Sequence, residues 1–264
     1  MSQLNFAPAG AITLHYAIDG LTGGTPLVFI NSLGTDLRIW DRVVPYFAHR
    51  YPLVRYDKRG HGLSDAPPAP YTVADHTDDL AQLLAYLRVE AAILIGVSVG
   101  GMIALDYALT YPDQVKGLVV CDTAAKIGEA DLWNTRIETI HQNGIESLAD
   151  AVLERWFSPM FAAQTPAAYR GYFNMLTRTP VAGYNGTCAA LRDTDLRDAV
   201  GLINVPTLVV CGAEDGATPP ELVRGLAESI PGARFALIEK AGHLPSIEQP
   251  AALAQEINDF LKGI

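Results

Sequence analysis

The segment AILIGVSVGG, at residues 92–101, is the part of this chain that says most about its fold. The unbroken apolar run Ala92–Val97 predicts a strand covered on both faces, and Met102–Thr110 predicts a helix. Ser98 stands at the turn between them with glycines two residues away on either side, a G-x-S-x-G pattern. Because a sharp strand-to-helix turn has no room for larger side chains, the glycines let it project the serine hydroxyl out of the sheet. We therefore expect Ser98 to be a nucleophile.

Further short apolar runs lie on both sides of this stretch and alternate with helical patterns. The other predicted strands are Leu14–Ile18, expected in a hairpin, then Leu27–Ile30, Leu53–Tyr56, Gly117–Cys121, Thr207–Cys211 and Arg234–Ile238. Apolar residues at helical spacing predict helices over Asp75–Leu87 and Ala251–Leu261. This alternation is typical of βαβ units, so we predict an α/β fold with a mostly parallel central sheet flanked by helices.

The strand pattern is interrupted between residues 124 and 200, where several helical segments are rich in aromatic residues and arginine. Predicted sheet strands lie on both sides of this segment, which favours a lid over one edge of the sheet rather than a separate domain. We expect a core formed by residues 1–123 and 201–264, with residues 124–200 as a helical lid.

Composition and charge argue against several classes of protein. The formal net charge is -10 and the 19 basic residues are scattered, so we expect no nucleic-acid partner. Neither a signal peptide nor a run of about 18 apolar residues is found, so we expect no membrane association and a cytoplasmic location. Cys121, Cys188 and Cys211 lack the spacing of metal sites and are expected to be free thiols.

A serine nucleophile needs a base, and the base needs an orienting acid. His243 follows the last predicted strand, at the carboxyl edge where open α/β sheets place their active sites, and is our candidate base. His61 lies in a turn beside another strand end and is a weaker alternative. Asp215 is the candidate acid, with Asp122 after the preceding strand as an alternative.

A third candidate acid, Glu214, would point away from the site in a tight turn. The chain order Ser98, Asp215, His243 is the order expected for a triad built on an α/β sheet. For the oxyanion hole we predict the backbone N–H groups of Val99 and of Leu33, in the loop after the strand LVFI; the alternative is that this loop is a simple turn.

Four segments of the chain resemble the α/β-hydrolase family: the elbow GVSVGG, the turn YDKRGHGLSD, the segment CGAEDGATPP and the segment AGHLPSIEQP. The resemblance covers essentially the whole chain outside the lid and implies the α/β-hydrolase fold. Most relatives have His-Gly where this chain has Asn31-Ser32. The exchange leaves the N–H of Leu33 available but removes any role for a histidine side chain there.

Within that family, FINSLGTDLRIWD, RYDKRGHGLSD and IGVSVGGMIA resemble the 3-oxoadipate enol-lactonases of bacterial aromatic degradation through the β-ketoadipate pathway. This resemblance implies hydrolysis of a small anionic lactone by water alone, with no metal and no cofactor. The carboxylate of such a substrate needs a local cation in an acidic protein. The lid offers Arg136, which stands at helical spacing from Trp133, as well as Arg155, Arg170 and Arg178.

Other functions remain open on the sequence alone. A general carboxylesterase or a carbon-carbon bond hydrolase would share the triad and differ in the lid. A cofactor-free haloperoxidase-like activity is a further hypothesis for an enzyme. A ligand-binding receptor on a hydrolase scaffold is the non-enzyme alternative, and the presence of all three triad residues argues against it.

Overall fold

Eight strands form a single sheet in the computed structural model, which describes residues 5–264. They are β1 (Asn5–Ala9), β2 (Ile12–Gly20), β3 (Leu27–Ile30), β4 (Pro52–Tyr56), β5 (Ala92–Val97), β6 (Val115–Cys121), β7 (Thr207–Gly212) and β8 (Arg234–Ile238). Their order across the sheet is β1-β2-β4-β3-β5-β6-β7-β8. The pairs β1–β2 and β2–β4 are antiparallel, and all pairs from β4 to β8 are parallel.

Helices connect and cover the strands. They are α1 (Val73–Tyr86), α2 (Val99–Thr110), α3 (Ala130–Asn143), α4 (Glu146–Trp156), α5 (Pro159–Gln164), α6 (Pro166–Thr177), α7 (Val181–Asp193), α8 (Pro220–Ser229), α9 (Pro245–Glu248) and α10 (Pro250–Leu261). The five helices α3–α7 lie between β6 and β7 in the chain, and we call them the inserted helices. Within residues 5–264, no helix is both long and apolar enough to span a membrane.

The centre of the sheet is covered on both faces. Every residue of β3, β5 and β7 is buried, which explains why these strands are unbroken apolar runs. Helix α2 follows β5 directly and buries most of its residues, so the turn that carries Ser98 is packed inside the protein. Removal of this apolar surface from water is the main stabilising contribution to the fold.

The turn between β4 and α1 is fixed by buried charges. The carboxylate of Asp57 accepts hydrogen bonds from the backbone N–H of Leu37 at 2.8 Å and of Leu63 at 2.9 Å, and it contacts Nδ1 of His15 at 2.7 Å. Arg59 binds Asp79 of α1 through two hydrogen bonds of 2.6 and 2.7 Å. These contacts hold the DKRGHG turn rigidly beside the carboxyl end of the sheet.

The α/β-hydrolase fold expected from the sequence is confirmed, and the predicted strands fall within the observed ones. The expected hairpin is present, since β2 contains Leu14–Ile18 and pairs with β1. Strand β1 and helix α8 were not predicted. Strand β1 contains Pro8 and exposes Phe6, a pattern that does not indicate a strand.

Candidate active site

Ser98 occupies a strained turn between β5 and α2. Its φ is +59°, in the left-handed region that residues with side chains rarely adopt. A Cβ at Gly96 would collide with the carbonyl oxygen of Gly100, and one at Gly100 would collide with that of Ile30 at the end of β3. The two glycines therefore allow the turn to close and allow α2 to begin against the loop that follows β3.

His243 and Asp215 are joined by a direct hydrogen bond. Nδ1 of His243 lies 2.9 Å from Oδ2 of Asp215, and both side chains are almost completely buried. The backbone N–H of His243 donates to the carbonyl of Trp156, at the end of α4, at 2.9 Å. The histidine loop is thus fastened to an inserted helix, and the imidazole is oriented through Nδ1 with Nε2 left for other partners.

The Asp215 carboxylate is held by several donors. Oδ1 accepts from the N–H groups of Ala217 and Thr218 at 2.7 and 3.0 Å, and Oδ2 accepts from the Thr218 hydroxyl at 2.6 Å. Burial raises the pKa of Asp215, but the nearby His243 imidazole and the Thr218 donors outweigh it and leave the pKa below its usual value. The group is therefore an ionised acid that can stabilise a charged imidazole.

Asp122, an alternative acid on the sequence, lies beside Asp215 in a different state. Its Oδ1 accepts from the backbone N–H of Gly212 at 2.7 Å, and its Oδ2 has no partner among the described residues. Burial, followed by the neighbouring Asp215, raises the pKa of Asp122 well above its usual value. Asp122 is accordingly a neutral carboxylic acid behind the triad candidate. Glu214 is exposed and makes no contact with His243.

The ligating atoms of Asp122, Cys211 and Asp215 lie within 4.8 Å of one another, a spacing that could suit a metal ion. The Asp215 oxygens, however, are already occupied by four hydrogen bonds. Burial also raises the pKa of Cys211, so its thiol is not the thiolate that binds metals. We read this cluster as the packed support of the triad acid.

The loop after β3 lies against the start of α2. Leu33 and Val99 are buried, and within residues 5–264 their backbone N–H groups donate to no protein acceptor. A free N–H at the first residue of a helix and another on the facing loop form the geometry expected of an oxyanion hole. The sequence-based choice of Leu33 and Val99 is consistent with this arrangement and stays a prediction.

His61 takes part in this loop rather than acting as a base. Its Nε2 accepts from the backbone N–H of Gly34 at 2.9 Å, and its Nδ1 lies 3.1 Å from the carbonyl of Arg59. Burial, followed by the nearby Lys58, lowers the pKa of His61 well below its usual value. A neutral imidazole whose nitrogens are both engaged holds the loop and has no lone pair left for proton abstraction.

A cavity of about 230 Å³ contains Ser98 and His243 together with Leu33. The hydrogen bonds of the described residues do not include one between the Ser98 hydroxyl and His243; such contacts are often long in unliganded enzymes and tighten with substrate. The inserted helices supply a further part of the wall, including Trp133 and Arg136.

Two guanidinium groups line the cavity. The guanidinium of Arg136 lies 5.1 Å from the centre of the Trp133 ring, whose Nε1 donates to Ile127 O at 2.7 Å. Arg155 donates from Nε to the carbonyl of Gly216 at 2.9 Å. Burial and the charge of Arg136 lower the pKa of Arg155. Among the described residues neither arginine forms an ion pair with an acid, although the charge of Asp215 acts on Arg155 in the direction that raises its pKa, against burial and Arg136.

The other two arginines considered from the sequence lie elsewhere. Arg170 stacks on Phe173 at 4.3 Å, and Arg178 lines a different cavity. Sequence reasoning did not identify Thr218 as a partner of the acid, although it lies three residues after Asp215, a spacing typical of a side chain that closes a turn.

Comparison with known proteins confirms the resemblance seen in the sequence. Residues 25–250 match the alpha/beta hydrolase fold family. Two 3-oxoadipate enol-lactonases of Acinetobacter baylyi, numbers 2 and 1, are 33% and 34% identical over 251 and 252 residues, covering 95% and 96% of this chain and 94% of each relative. The crystal structure of the enol-lactonase from Burkholderia xenovorans superposes with a TM-score of 0.95 at 35% identity and covers 98% of this chain and 100% of that one.

Proposed function

Because this chain belongs to the α/β-hydrolase family and is a carboxylic ester hydrolase, we propose that it opens the lactone ring of 3-oxoadipate enol-lactone to give 3-oxoadipate. The reaction belongs to aromatic degradation through the β-ketoadipate pathway. We place it in the cytoplasm, where the three buried free cysteines stay reduced. The inserted helices act in this proposal as the lid of the hydrolase core.

The proposed reaction proceeds through an acyl-enzyme. Ser98 attacks the lactone carbonyl while His243 takes its proton, and Asp215 holds the imidazole and stabilises its charged form. The N–H groups of Val99 and Leu33 bind the tetrahedral oxyanion. Cleavage of the ring C–O bond releases an enolate that is protonated and collapses to the ketone, which discourages reclosure. Water activated by His243 then hydrolyses the acyl-enzyme.

The observation that carries the substrate class is the pair of guanidiniums in the same cavity as Ser98. Arg136 and Arg155 form no ion pair with an acid in the described chain, and one lowers the pKa of the other. Two like charges placed close together are unfavourable unless an anion joins them. A substrate whose reacting ester is attached to a carboxylate satisfies both parts of the cavity at once, because the triad binds one end and the arginines bind the other.

The test compares two lactones on the wild-type protein and four variants. One is 3-oxoadipate enol-lactone, and the other is the same enol-lactone ring with a methyl group in place of the carboxylate side chain. We expect Ser98→Ala to abolish turnover of both. Arg136→Met and Arg155→Met should each lower kcat/KM for the anionic lactone by about 10- to 100-fold, the effect of losing a hydrogen bond to a charged group, and change the neutral one little.

Arg170→Met is the matched control, because Arg170 does not line the cavity. Equal losses on the two lactones in Arg136→Met and Arg155→Met would contradict carboxylate recognition. Rapid turnover of simple neutral esters with slow turnover of the anionic lactone would favour the general carboxylesterase that the sequence left open. In both cases the serine-dependent chemistry would remain.

A further inference from the structure

Lys58 is a completely buried lysine that the proposed reaction does not use. It follows Asp57 in the turn after β4, and its side chain has no exposed surface. Its Nζ donates to the carbonyl oxygen of Ser32 at 2.5 Å. Burial lowers the pKa of Lys58 well below its usual value, although Asp57 and Asp36 act in the opposite direction. An amine and an ammonium both have N–H donors, so this hydrogen bond forms in either protonation state.

Burial of a lysine is costly, and the nearest carboxylate does not account for it. The oxygens of Asp57 are taken by His15 and by two backbone N–H groups of neighbouring loops. The acceptor that Lys58 contacts directly is a main-chain carbonyl. The position of that carbonyl therefore explains why a lysine is buried here better than ion pairing does.

The carbonyl of Ser32 and the N–H of Leu33 are the two ends of a single peptide group. A hydrogen bond received by the carbonyl polarises the group and makes its N–H a stronger donor, by about 10–30% in condensed-phase estimates. The same carbonyl also accepts from the Thr35 hydroxyl at 2.9 Å and from the Thr35 N–H at 3.3 Å. Three donors thus converge on the oxygen of a peptide group whose two residues, Ser32 and Leu33, both line the cavity that contains Ser98.

We propose that Lys58 is a positioning residue that orients and polarises the Ser32–Leu33 peptide, so that the Leu33 N–H binds the oxyanion more strongly. The inference rests on the proposed function for the role of Ser98 and Leu33, but it requires no particular substrate. The Thr35 hydroxyl donates to the same oxygen over a longer distance, 2.9 Å against 2.5 Å for Lys58, and we expect its contribution to be smaller for that reason.

The test uses Lys58→Met, which keeps the length and apolar stem of the side chain and removes the donor, and Thr35→Val, which removes the hydroxyl. Lys116→Met is the matched control, because Lys116 is exposed near the amino end of β6, at the opposite edge of the sheet. Acylation and deacylation rates are measured with a chromophoric cinnamoyl ester. We expect a loss of about 10-fold or more for Lys58→Met, below the 10²–10³ seen when a whole oxyanion donor is removed, and a smaller loss for Thr35→Val.

The second measurement is the infrared carbonyl frequency of the cinnamoyl-enzyme, which reports the strength of hydrogen bonding to the acyl oxygen. In Lys58→Met it should move to higher wavenumber, toward the value of the free ester, and Thr35→Val should move it less. A rate loss with an unchanged frequency would show that Lys58 only supports the fold and would overturn the proposal, as would unchanged rates.

Should Lys58→Met fail to fold, the frequency shift in Thr35→Val decides, and its absence overturns the proposal. Failure of the wild-type protein to form an acyl-enzyme would overturn the serine mechanism and this inference with it. Poor hydrolysis of the enol-lactone beside a normal cinnamoyl result would instead overturn only the proposed substrate.

Discussion

Replacement of Asp122 and of Asp215 by asparagine, one at a time, tests which of these two buried carboxyl groups is the triad acid. Asp215 is ionised and receives the His243 ring N–H, whereas Asp122 is neutral and lies behind it. In Asp215→Asn the amide removes the negative charge and can favour the wrong imidazole tautomer. In the serine protease that is the standard example, this change lowers kcat by about 10⁴, and we expect a loss of similar order here.

Asp122→Asn should behave differently, because an asparagine reproduces a protonated carboxyl. Its Oδ1 can still accept from Gly212 N–H, and its amide N–H₂ takes the place of the unpartnered Oδ2. We expect no more than a few-fold change in kcat, within the roughly 1 kcal/mol of one altered hydrogen bond. Glu214→Gln, an exposed neighbour, is the control.

The assay is the pre-steady-state rate of Ser98 labelling by a phosphonate, followed by lactone turnover. A loss in Asp122→Asn equal to that in Asp215→Asn would refute the assignment of separate roles. It would show that the two carboxyl groups act as one unit, or that the acid is Asp122.

Burial raises the pKa of Asp122 in the folded chain, so the free energy of unfolding of the wild-type protein falls as the pH rises above about 3.9, the unfolded pKa of an aspartate. The Tm of Asp122→Asn minus that of the wild type should therefore increase between pH 4 and pH 7. A decrease in this difference would contradict the prediction. Gly100→Ala should lower the Tm and the rate at which a phosphonate labels Ser98, because the added Cβ would collide with the carbonyl oxygen of Ile30. Gly225→Ala should change neither, because no atom lies within 4 Å of a Cβ at that position. His61→Ala should slow turnover by freeing the Gly34 N–H yet leave the acid limb of the pH–rate profile in place; loss of that limb would make His61 the base.

The parts of the fold predicted from sequence are those determined locally. Apolar runs with no polar alternation identified the central strands, because a strand buried on both faces has no solvent-facing positions. The turn around Ser98 was predicted for a similar reason, because its two glycines are needed where a Cβ would collide with neighbouring backbone atoms. Edge strand β1 has one exposed face and a proline, so its local signal is weak.

The parts that sequence could not determine depend on contacts distant in the chain. Asp122 and Asp215 both follow strand ends, so the sequence favoured Asp215 but left Asp122 open, and the contacts of Asp215 with His243 and Thr218 distinguish the two. Arg155 was one of four arginines considered in the inserted segment, and it lines the cavity because α4 ends beside the loop that carries Asp215. Lys58 looks like part of a polar turn, and its burial appears only when the loop after β3 is packed against it.

The acidic composition and the cationic cavity are compatible because they act over different distances. Most of the charged groups behind the formal net charge of -10 are exposed, and at physiological ionic strength interactions between exposed charges are screened beyond about 8 Å. The composition therefore argues against partners that need an extended basic surface, such as nucleic acid. It says little about the cavity lined by Arg136 and Arg155, because the anionic substrate proposed for it would lie at contact distance from them, where screening is weak. Net charge thus bears on macromolecular partners, and the substrate must be inferred from the cavity.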